Sequence, residues 1–386
     1  MTGSGFHKTY DVAVVGSGPA GAMAAFCLAK KGVRVAVLEK SSLPRYKPCG
    51  GGIVRKAMQF LPIDVSEIIE RECYRVELNF IPHHLHFSVK RKQPIVSMTM
   101  RDKFDYRLVL AATAAGADIF SKCRVVDVVS KVDMIDLMTS KGPLHARFVV
   151  GADGVLSSVA KKSGWQETRS LIPAIESEML VSQEEMDRFR HSARFDFGLF
   201  SGGYGWVFPK KAHLSVGVLS MRKNRVRLND MMGNYLKALG IDPLKKSKRY
   251  GYLIPVTPRN DAFMKGRVLL AGDAAGFANP ITGEGISFAL LSGQTAAHAL
   301  LDGAFQESRV KNIFEAEIKK KILSELHLPH IFAKLIYRSP RLFRLLFRLH
   351  GQKFVENITD IEMGETTYRR LATDPLNYLQ LFRLWD

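Results

Sequence analysis

The 386-residue sequence has few of the residues that build disulfide frameworks and metal sites. Its four cysteines are Cys27, Cys49, Cys73 and Cys123, and none belongs to a CxxC pair or has a histidine at zinc-binding spacing. A protein with so few scattered cysteines is expected to keep them as reduced thiols. We therefore predict neither a disulfide framework nor a bound metal.

The sequence also lacks an uninterrupted hydrophobic run long enough to cross a membrane. Its most apolar stretch, DVAVVGSGPAGAMAAFCLA, contains three glycines, a proline and an acidic first residue. Neither a basic leading segment nor a cleavage site accompanies it, so it resembles neither a membrane span nor a secretory signal. We expect a globular, cytoplasmic protein, without internal repeats or low-complexity linkers.

Acidic residues are scarce relative to basic ones. The 56 Lys and Arg against 37 Asp and Glu give a net charge of +19 at pH 7. This charge predicts attraction to an anionic partner, such as lipid headgroups, a phosphorylated substrate or nucleic acid. Because the basic residues are spread along the chain and no groove-reading motif accompanies them, we do not expect a nucleic-acid partner.

What the sequence does contain, close to its start, is a strand, a glycine-rich turn and a helix. Residues 11–15 form a buried-strand pattern, GSGPAG follows at once, and an alanine-rich helix is predicted to run to Lys31. The glycines permit the tight turn, the approach of a pyrophosphate and close helix packing, while the helix N-terminus offers N–H groups. The predicted cofactor contacts here are Gly16, Gly18, Ala20 and Gly21.

A second predicted strand, VRVAVLEK, ends in Glu39, 18 residues after Gly21. A carboxylate at this position can accept hydrogen bonds from two ribose hydroxyls. It would also repel a 2′-phosphate, which disfavours NADP here. NAD and FAD both fit this segment taken alone.

A downstream segment fits the flavin half of an extended FAD. A buried strand over residues 268–271 leads into Gly272 and Asp273, and the Asp273 carboxylate can bond the ribityl hydroxyls. A helix is predicted to begin near Glu284 or Gly285, and N–H groups of Gly285 and Ile286 at its start favour the negative charge that a flavin gains on reduction.

A third segment, FVVGADGVLSSVAKKSG, lies between these two in the sequence. It predicts a strand that ends in Asp153 and then a helix that closes over the pyrophosphate. An NAD dehydrogenase has no need of the remote Gly-Asp strand, whereas FAD needs contacts at its ribityl chain and ring. FAD is therefore the predicted cofactor.

With these motifs the sequence resembles the FAD-dependent geranylgeranyl reductase family, within the p-hydroxybenzoate hydroxylase-like flavoproteins. The broad part of the resemblance is GSGPAG, GADG and GDAAGFANPITGEG, and the narrower part is PRYKPCGGGI with YGWVFP. The motifs and the resemblance together imply an α/β protein. We expect a Rossmann-type FAD-binding domain, an antiparallel-sheet substrate domain and a helical C-terminal tail.

The resemblance places the loop PCGGG beside the flavin ring, and the three glycines of the loop suit close backbone approach to a flat ligand. It implies that Cys49, Gly50 and Gly52 are flavin neighbours. It adds Arg101 of RDKFDYRL as a cofactor residue and gives Val125 a backbone contact with the adenine. Cys49 is a candidate proton carrier in catalysis, although most free cysteines near a cofactor are inert, partly buried thiols.

In YGWVFP, period-two alternation puts Tyr204, Trp206 and Phe208 on one face of a strand. Such a stripe is commonly the core of a sheet. The resemblance implies instead that these aromatic residues, with Pro209, line an apolar tunnel for an isoprenoid substrate. Tyr204 is the second candidate catalytic proton carrier, and an ordered water is the alternative to both side chains.

The resemblance implies reduction of isolated C=C bonds in a polyprenyl chain, by hydride transfer from reduced FAD. No second GxGxxG motif is present, so NAD(P)H or a ferredoxin is expected as the external electron donor.

The alternative functions are an FAD-dependent monooxygenase of the hydroxylase or halogenase type, and a non-catalytic, flavin-stabilised lipid-binding protein. A halogenase would carry a WxWxIP-like motif and a tunnel lysine. Ser201 stands where many archaeal-lipid reductases have proline, which leaves the prenyl substrate open.

The predicted domains are discontinuous. The runs VELNF, LHFSV, IVSMTM and HLSVGV are typical of an antiparallel sheet and mark the substrate domain. The division is an FAD-binding domain of residues 1–69, 101–160 and 261–305, a substrate domain of residues 70–100 and 161–260, and a C-terminal helical region of residues 306–386.

Within the C-terminal region, SPRLFRLLFRLHGQK predicts a helix with Ser339 as N-cap and Pro340 at its first position. On a helical wheel Arg341, Arg344 and Arg348 share one face, and leucines lie opposite. This arrangement suits contact with an anionic membrane surface. It equally suits a helix that packs its apolar face on the protein.

Overall fold

The computed structural model describes residues 9–200, 202–221, 227–244 and 247–373. The strands in chain order are β1 (Tyr10–Val15), β2 (Val35–Leu38), β3 (Gly52–Val54), β4 (Ile69–Cys73), β5 (Arg75–Phe80), β6 (Leu85–Lys90), β7 (Val96–Thr99), β8 (Asp118–Phe120), β9 (Val125–Ser130), β10 (Ile135–Thr139), β11 (Gly142–Gly151), β12 (Leu171–Met179), β13 (Ser192–Phe197), β14 (Gly203–Pro209), β15 (Leu214–Ser220), β16 (Arg249–Pro255), β17 (Met264–Lys265) and β18 (Val268–Leu270).

The helices in chain order are α1 (Pro19–Ala29), α2 (Arg55–Met58), α3 (Arg101–Ala114), α4 (Ser158–Lys162), α5 (Gln183–Phe189), α6 (Leu228–Leu239), α7 (Ile286–Asp302), α8 (Glu307–Ile318), α9 (Ser324–Arg338), α10 (Pro340–Met363) and α11 (Tyr368–Thr373). A π-helical turn, Lys319–Leu323, joins α8 to α9. Short 3₁₀ turns lie at Ser66–Ile68, Ile81–His83 and Gly272–Ala274.

The first sheet is mainly parallel and carries the glycine-rich turn. Its order is β17-β18-β11-β1-β2-β8, in which β18 through β8 run parallel, and the β9–β10 hairpin pairs with β11. Helix α1 packs against α3 and α7. The α/β, Rossmann-type architecture is confirmed, and β1, β18 and α7 begin within two residues of the predicted positions. Helix α1 begins at Pro19, inside the GSGPAG motif that was expected to precede it, and ends two residues before the predicted Lys31.

The second sheet is antiparallel except where β5 pairs in parallel with β13, and its order is β16-β12-β15-β14-β13-β5-β6. Alternation along β14 divides its side chains between two cores. Tyr204 and Trp206 belong to one cluster, whereas Val207 lies in the other with Tyr235 of α6. The predicted antiparallel sheet with its aromatic face is therefore present.

A third, three-stranded sheet has the order β3-β7-β4. The run IVSMTM, which contains β7, was expected in the substrate sheet, and that expectation is wrong. β7 is buried along its whole length and packs with Ile53 of β3 and Phe104 of α3. Period-two alternation identifies a strand but does not specify its neighbours. The exact domain boundaries stay a prediction.

The C-terminal helices close one side of the molecule. Helix α10 begins after Ser339, as predicted, but extends to Met363 with a kink at His350. It packs on β6, α2 and α9, and buries Phe347 and Val355. In the part of the chain that the structure describes, no helix combines the length and apolar character needed to span a bilayer. The side chain of Arg341 and all of Ser201 lie outside the described residues.

Candidate active site

A deep cleft opens between the parallel sheet and the aromatic face of the antiparallel sheet. Strands β1 and β18 end at it, which is where ligands bind in open parallel sheets. Helices α1 and α7 begin at it, and their N-cap residues are Gly18 and Gly285, which have no side chain to cap the helix. In α7 the Glu284 carboxylate accepts a hydrogen bond from the Ser287 N–H. The predicted residues in its wall are Gly18, Ala20, Cys49, Gly50, Gly52, Arg101, Tyr204, Trp206, Phe208, Gly272, Asp273, Gly285 and Ile286.

Other predicted residues lie behind this wall. Gly16 has φ +97°, and a side chain there would collide with the Ala152 carbonyl, so the turn requires glycine. A Cβ on Gly21 would meet the Gly16 carbonyl, so this glycine permits the close packing of α1. Val125 is buried at the start of β9, and Pro209 ends β14 outside the wall.

Glu39 follows the end of β2, and it is 3 % exposed. Its carboxylate accepts hydrogen bonds from the Ser17 hydroxyl at 2.7 Å and the Ser41 N–H at 2.9 Å, and pairs with Arg45 at 3.2 Å. Burial opposes ionisation, but Arg45 and these hydrogen bonds hold the pKa of Glu39 below its usual value. A charged acceptor therefore stands at the position predicted to receive the ribose.

The Asp153 carboxylate accepts its hydrogen bonds from neighbouring residues of the protein. It accepts hydrogen bonds from the Ser157 hydroxyl and from the N–H groups of Ser158 and Val159, at 2.5, 2.7 and 3.1 Å. These bonds fix the start of α4 and the turn at Gly154, which does line the cleft. A direct contact of Asp153 with the cofactor stays a prediction.

The PCGGG loop lies against the aromatic wall, which is the face of β14 that carries Tyr204, Trp206 and Phe208. A side chain on Gly50 would collide with the rings of Phe208 and Trp206. The loop can therefore pack this closely against the wall only because residue 50 is glycine. From behind, the buried Lys210 Nζ donates to the carbonyls of Gly50 at 2.7 Å and Thr99 at 2.9 Å. Burial lowers the pKa of Lys210. Sequence reasoning missed this lysine, although it directly follows YGWVFP.

Arg101 also supports this loop. Its guanidinium forms a bidentate pair with Asp105 at 2.8 and 2.9 Å and bonds to the Cys49 thiol. Burial opposes the charge, but Asp105 and Cys49 outweigh it and raise the pKa of Arg101. The Arg101 guanidinium therefore stays charged. It faces the cleft and also holds the PCGGG loop in place through Cys49.

Tyr204, Trp206 and Phe208 form the aromatic wall. The buried Tyr204 hydroxyl donates to the Thr282 carbonyl at 2.6 Å, and burial raises its pKa. Phe195 packs edge-on against Tyr204 and Phe208, with ring centroids 5.9 and 5.4 Å apart. This side of the cleft is therefore apolar and can hold a hydrocarbon chain.

Polar groups that the sequence reasoning missed line the other sides. Lys47 Nζ lies 3.4 Å from Asp273 and 5.4 Å from the centre of the Tyr252 ring. Glu362 of α10 faces the cleft and pairs with the buried Lys56 at 2.6 Å. Lys47 could have been found, since it lies inside PRYKPCGGGI. The Lys56–Glu362 pair carried no sequence signal, because it joins opposite ends of the chain.

These residues fit FAD. Two helix N-termini, each with a glycine as N-cap, meet at one cleft, where they suit a pyrophosphate and an anionic flavin ring. Glu39 is a buried, ionised acceptor at the position predicted to receive the ribose. The glycines of the PCGGG loop let its backbone pass close to β7 and the aromatic wall at the edge of the cleft. Among the described residues, no group of three or more His, Cys, Asp or Glu is placed to hold a metal ion.

Comparisons with known proteins agree with this geometry. The family model described as "FAD binding domain" matches residues 9–302. The chain is 28 % identical over 403 residues to the chloroplastic geranylgeranyl diphosphate reductase of Nicotiana tabacum, covering 97 % of this chain and 84 % of that one. It is 26 % identical over 349 residues to the digeranylgeranylglycerophospholipid reductase of Methanocaldococcus jannaschii, covering 86 % and 87 %.

Two solved structures share the fold. A geranylgeranyl bacteriochlorophyll reductase-like protein from Thermoplasma acidophilum superposes with a TM-score of 0.78 at 22 % identity, covering 98 % of this chain and 96 % of that one. The flavin-dependent brominase Bmp2 gives 0.76 at 19 % identity, covering 97 % and 99 %. At these identities the structures establish the fold alone. The chain belongs to the FAD binding domain family of oxidoreductases, and the reductases named above are among its relatives.

Proposed function

We propose that the protein reduces isolated C=C bonds of a polyprenyl chain. The observation that carries the proposal is that the PCGGG loop packs against the aromatic wall at the edge of the cleft, since a Cβ on Gly50 would lie 2.7 Å from Phe208 and 3.0 Å from Trp206. A hydrocarbon chain on this wall would lie beside a flavin held by the loop. Bound FAD, once reduced, would supply the hydride. The relatives named for geranylgeranyl substrates support the same substrate class.

In this proposal the protein contributes placement and a proton. Tyr204, Trp206 and Phe208 align the chain and exclude water, because they offer an almost wholly apolar surface. Cys49 and Tyr204 are the candidate proton carriers. The Tyr204 hydroxyl donates a hydrogen bond to the Thr282 carbonyl at 2.6 Å. This bond holds the aromatic wall against the loop that contains Thr282 and precedes α7.

The test is a single turnover without oxygen. Protein loaded with FAD and reduced by dithionite is mixed with digeranylgeranylglycerophospholipid or geranylgeranyl diphosphate, and the products are weighed by mass spectrometry. We expect products heavier by two hydrogen atoms for each saturated bond. In deuterated water, both added atoms are expected to be deuterium, because a flavin reduced by dithionite takes its own hydrogen from the solvent. NADPH and a reduced ferredoxin then replace dithionite to identify the electron donor.

Under either competing function both lipids stay unchanged in the anaerobic assay. A monooxygenase would form an oxygen-containing product once oxygen is admitted, whereas a lipid-binding protein would still leave both lipids unchanged. The fold is also that of a brominase, so a halogenase activity is compatible with it. Against it, the chain has YGWVFP in place of a WxWxIP-like motif, and Lys210 donates to two backbone carbonyls and is not part of the cleft wall.

We further propose that α9 and α10 rest on an anionic membrane surface. The two helices expose a cluster of large apolar side chains, which we call the apolar patch: Ile331, Phe332, Leu345, Leu346 and Leu349. Arg344 and Arg348 are exposed on α10 beside it. Phe347 between them is buried, so the helix docks on the protein through one side and still presents leucines to solvent. Apolar side chains flanked by arginines complement anionic lipid.

Replacing Leu349 with glutamate is expected to weaken binding to vesicles of phosphatidylglycerol and phosphatidylcholine about tenfold, because a charge enters the apolar patch. Co-sedimentation measures the binding. The control is Leu244→Glu, since Leu244 has a similar exposure, 66 % against 59 %, and lies outside α9 and α10. Equal binding by both variants, or no binding by the unmodified protein at low salt, would contradict the proposal.

A further inference from the structure

Glu176 is a buried carboxyl group in the cleft wall with a connection to the surface. It lies in β12 and is 3 % exposed. The Tyr46 hydroxyl donates to its Oε1 at 2.7 Å, and Tyr46 itself is 36 % exposed. The other oxygen, Oε2, is buried and has no hydrogen-bond partner among the described residues. A short path therefore leads from solvent through a phenol to a carboxyl group at the cleft.

The surroundings of Glu176 favour its neutral form. The titratable and charged side chains that face it are Tyr46, Cys49, Glu178, Lys210 and Tyr250. Burial and repulsion from Glu178 outweigh the Tyr46 hydroxyl, the Cys49 N–H and Lys210, and the pKa of Glu176 rises to about 7. At neutral pH the group is therefore poised to give up a proton and take it back.

The other cleft carboxyl groups are differently placed. Asp273 has Lys47 at 3.4 Å, and Glu362 has Lys56 at 2.6 Å. Glu284 accepts hydrogen bonds from the Ser287 N–H and hydroxyl. Among the described residues, Glu176 has no cation within ion-pair distance, and it adjoins the loop that carries Cys49 through the Cys49 N–H.

We propose that Tyr46 and Glu176 form the proton-entry route of the cleft, with Glu176 holding the proton that C=C reduction consumes. The inference rests on the proposed function. In each turnover the π bond breaks and two C–H bonds form: one from hydride given by the reduced flavin, which becomes oxidised, and one from a proton. Glu176 releases that proton toward the Cys49 loop, is left as a carboxylate, and is reprotonated from solvent through Tyr46.

The first test needs no substrate. Infrared spectra of the FAD-loaded protein are expected to show a protonated-carboxyl band that disappears as pH rises through about 7 and is missing in Glu176→Gln. Glu315→Gln is the control, because Glu315 is a half-buried glutamate whose pKa is also raised and which lies outside the cleft. The inference is overturned if the spectrum of the unmodified protein minus that of Glu176→Gln contains no carboxyl band, or if the band in that difference is lost well below pH 7.

The second test is the anaerobic single turnover. Glu176→Gln should slow saturation about 100-fold while flavin absorbance and FAD affinity stay unchanged. Glu176→Asp should restore part of the rate. Tyr46→Phe should leave the first turnover unchanged and slow the later ones when dithionite is supplied in excess for repeated turnover. Wild-type rates in Glu176→Gln would overturn the route. If the unmodified protein saturates neither lipid, the proposed function fails and its proton step with it, whereas the infrared titration still reports separately whether Glu176 holds a proton.

The raised pKa also predicts a pH dependence of stability. A carboxyl group whose folded pKa exceeds its ordinary value of 4.5 stabilises the fold most at low pH. This contribution is lost as pH rises from 4.5 through about 7. The free energy of unfolding of the unmodified protein, minus that of Glu176→Gln, should therefore fall across that interval. A value that rises with pH would contradict the assignment.

Discussion

Replacing Gly18 with alanine is expected to weaken FAD binding strongly and to leave the fold intact. Gly18 is the N-cap of α1 and has extended backbone angles, φ −71° and ψ −177°, which alanine adopts without strain. The nearest atom to an added Cβ is Arg45 Nη2 at 3.6 Å, an ordinary contact. The methyl group would instead stand in the cleft where the pyrophosphate is expected to meet the helix start. We expect FAD affinity to fall about 100-fold, or about 2.7 kcal/mol.

FAD titration followed by flavin fluorescence measures this loss, and circular dichroism checks the fold. Gly233→Ala in α6 is the matched control, because an added Cβ there meets no atom within 4 Å and the site is remote from the cleft. Gly21→Ala provides a contrast, since its Cβ would collide with the Gly16 carbonyl and disrupt α1 packing. If Gly18→Ala binds FAD as tightly as the unmodified protein, the pyrophosphate does not lie at this turn.

Replacing Asp196 with alanine lowers the free energy of unfolding by about 3–5 kcal/mol. Asp196 is fully buried in β13. It accepts hydrogen bonds from Asn79 Nδ2 at 2.8 Å, the Tyr235 hydroxyl at 2.6 Å and Arg194 Nε at 2.9 Å. These three donors come from β5, α6 and β13, so the carboxylate ties together the elements behind the aromatic wall. Its removal leaves a largely buried guanidinium and phenol without their acceptor.

Urea unfolding followed by circular dichroism measures this change. Asp187→Ala is the control, because Asp187 is exposed and its pair with Arg190 lies at the surface, where we expect no measurable effect. Asp196→Asn should recover part of the stability, since an amide oxygen still accepts from Tyr235. Equal midpoints for Asp196→Ala and Asp187→Ala would show that the buried network contributes little.

The features predicted correctly from sequence are local ones. The β1–α1 turn, the β2 strand before Glu39 and the start of α7 depend on residues adjacent in the chain, so strand periodicity and glycine placement identify them. The face shared by Tyr204, Trp206 and Phe208 likewise follows from the geometry of one strand. FAD could be predicted because its binding motifs are of this kind.

The features missed are those created by strand pairing and helix docking. Tyr46 and Glu176 are 130 residues apart and meet only because β12 lies beside the PCGGG loop. Lys56 and Glu362 meet only because α10 returns to α2. The β7 strand shows the same difficulty, because its alternating pattern fits either antiparallel sheet. Neither composition nor periodicity contains the register that decides these contacts.

Helix α10 also bears on how the chain can be shortened or engineered. Its part before the kink at His350 carries the exposed leucines, and its part after the kink supplies Ile358, Thr359 and Glu362 to the wall of the cleft. The two parts meet at the non-helical His350, yet they are consecutive in the chain. A truncation before Pro340, intended to remove the three leucines of the apolar patch, would also remove these cleft residues and leave the cleft open to water on one side.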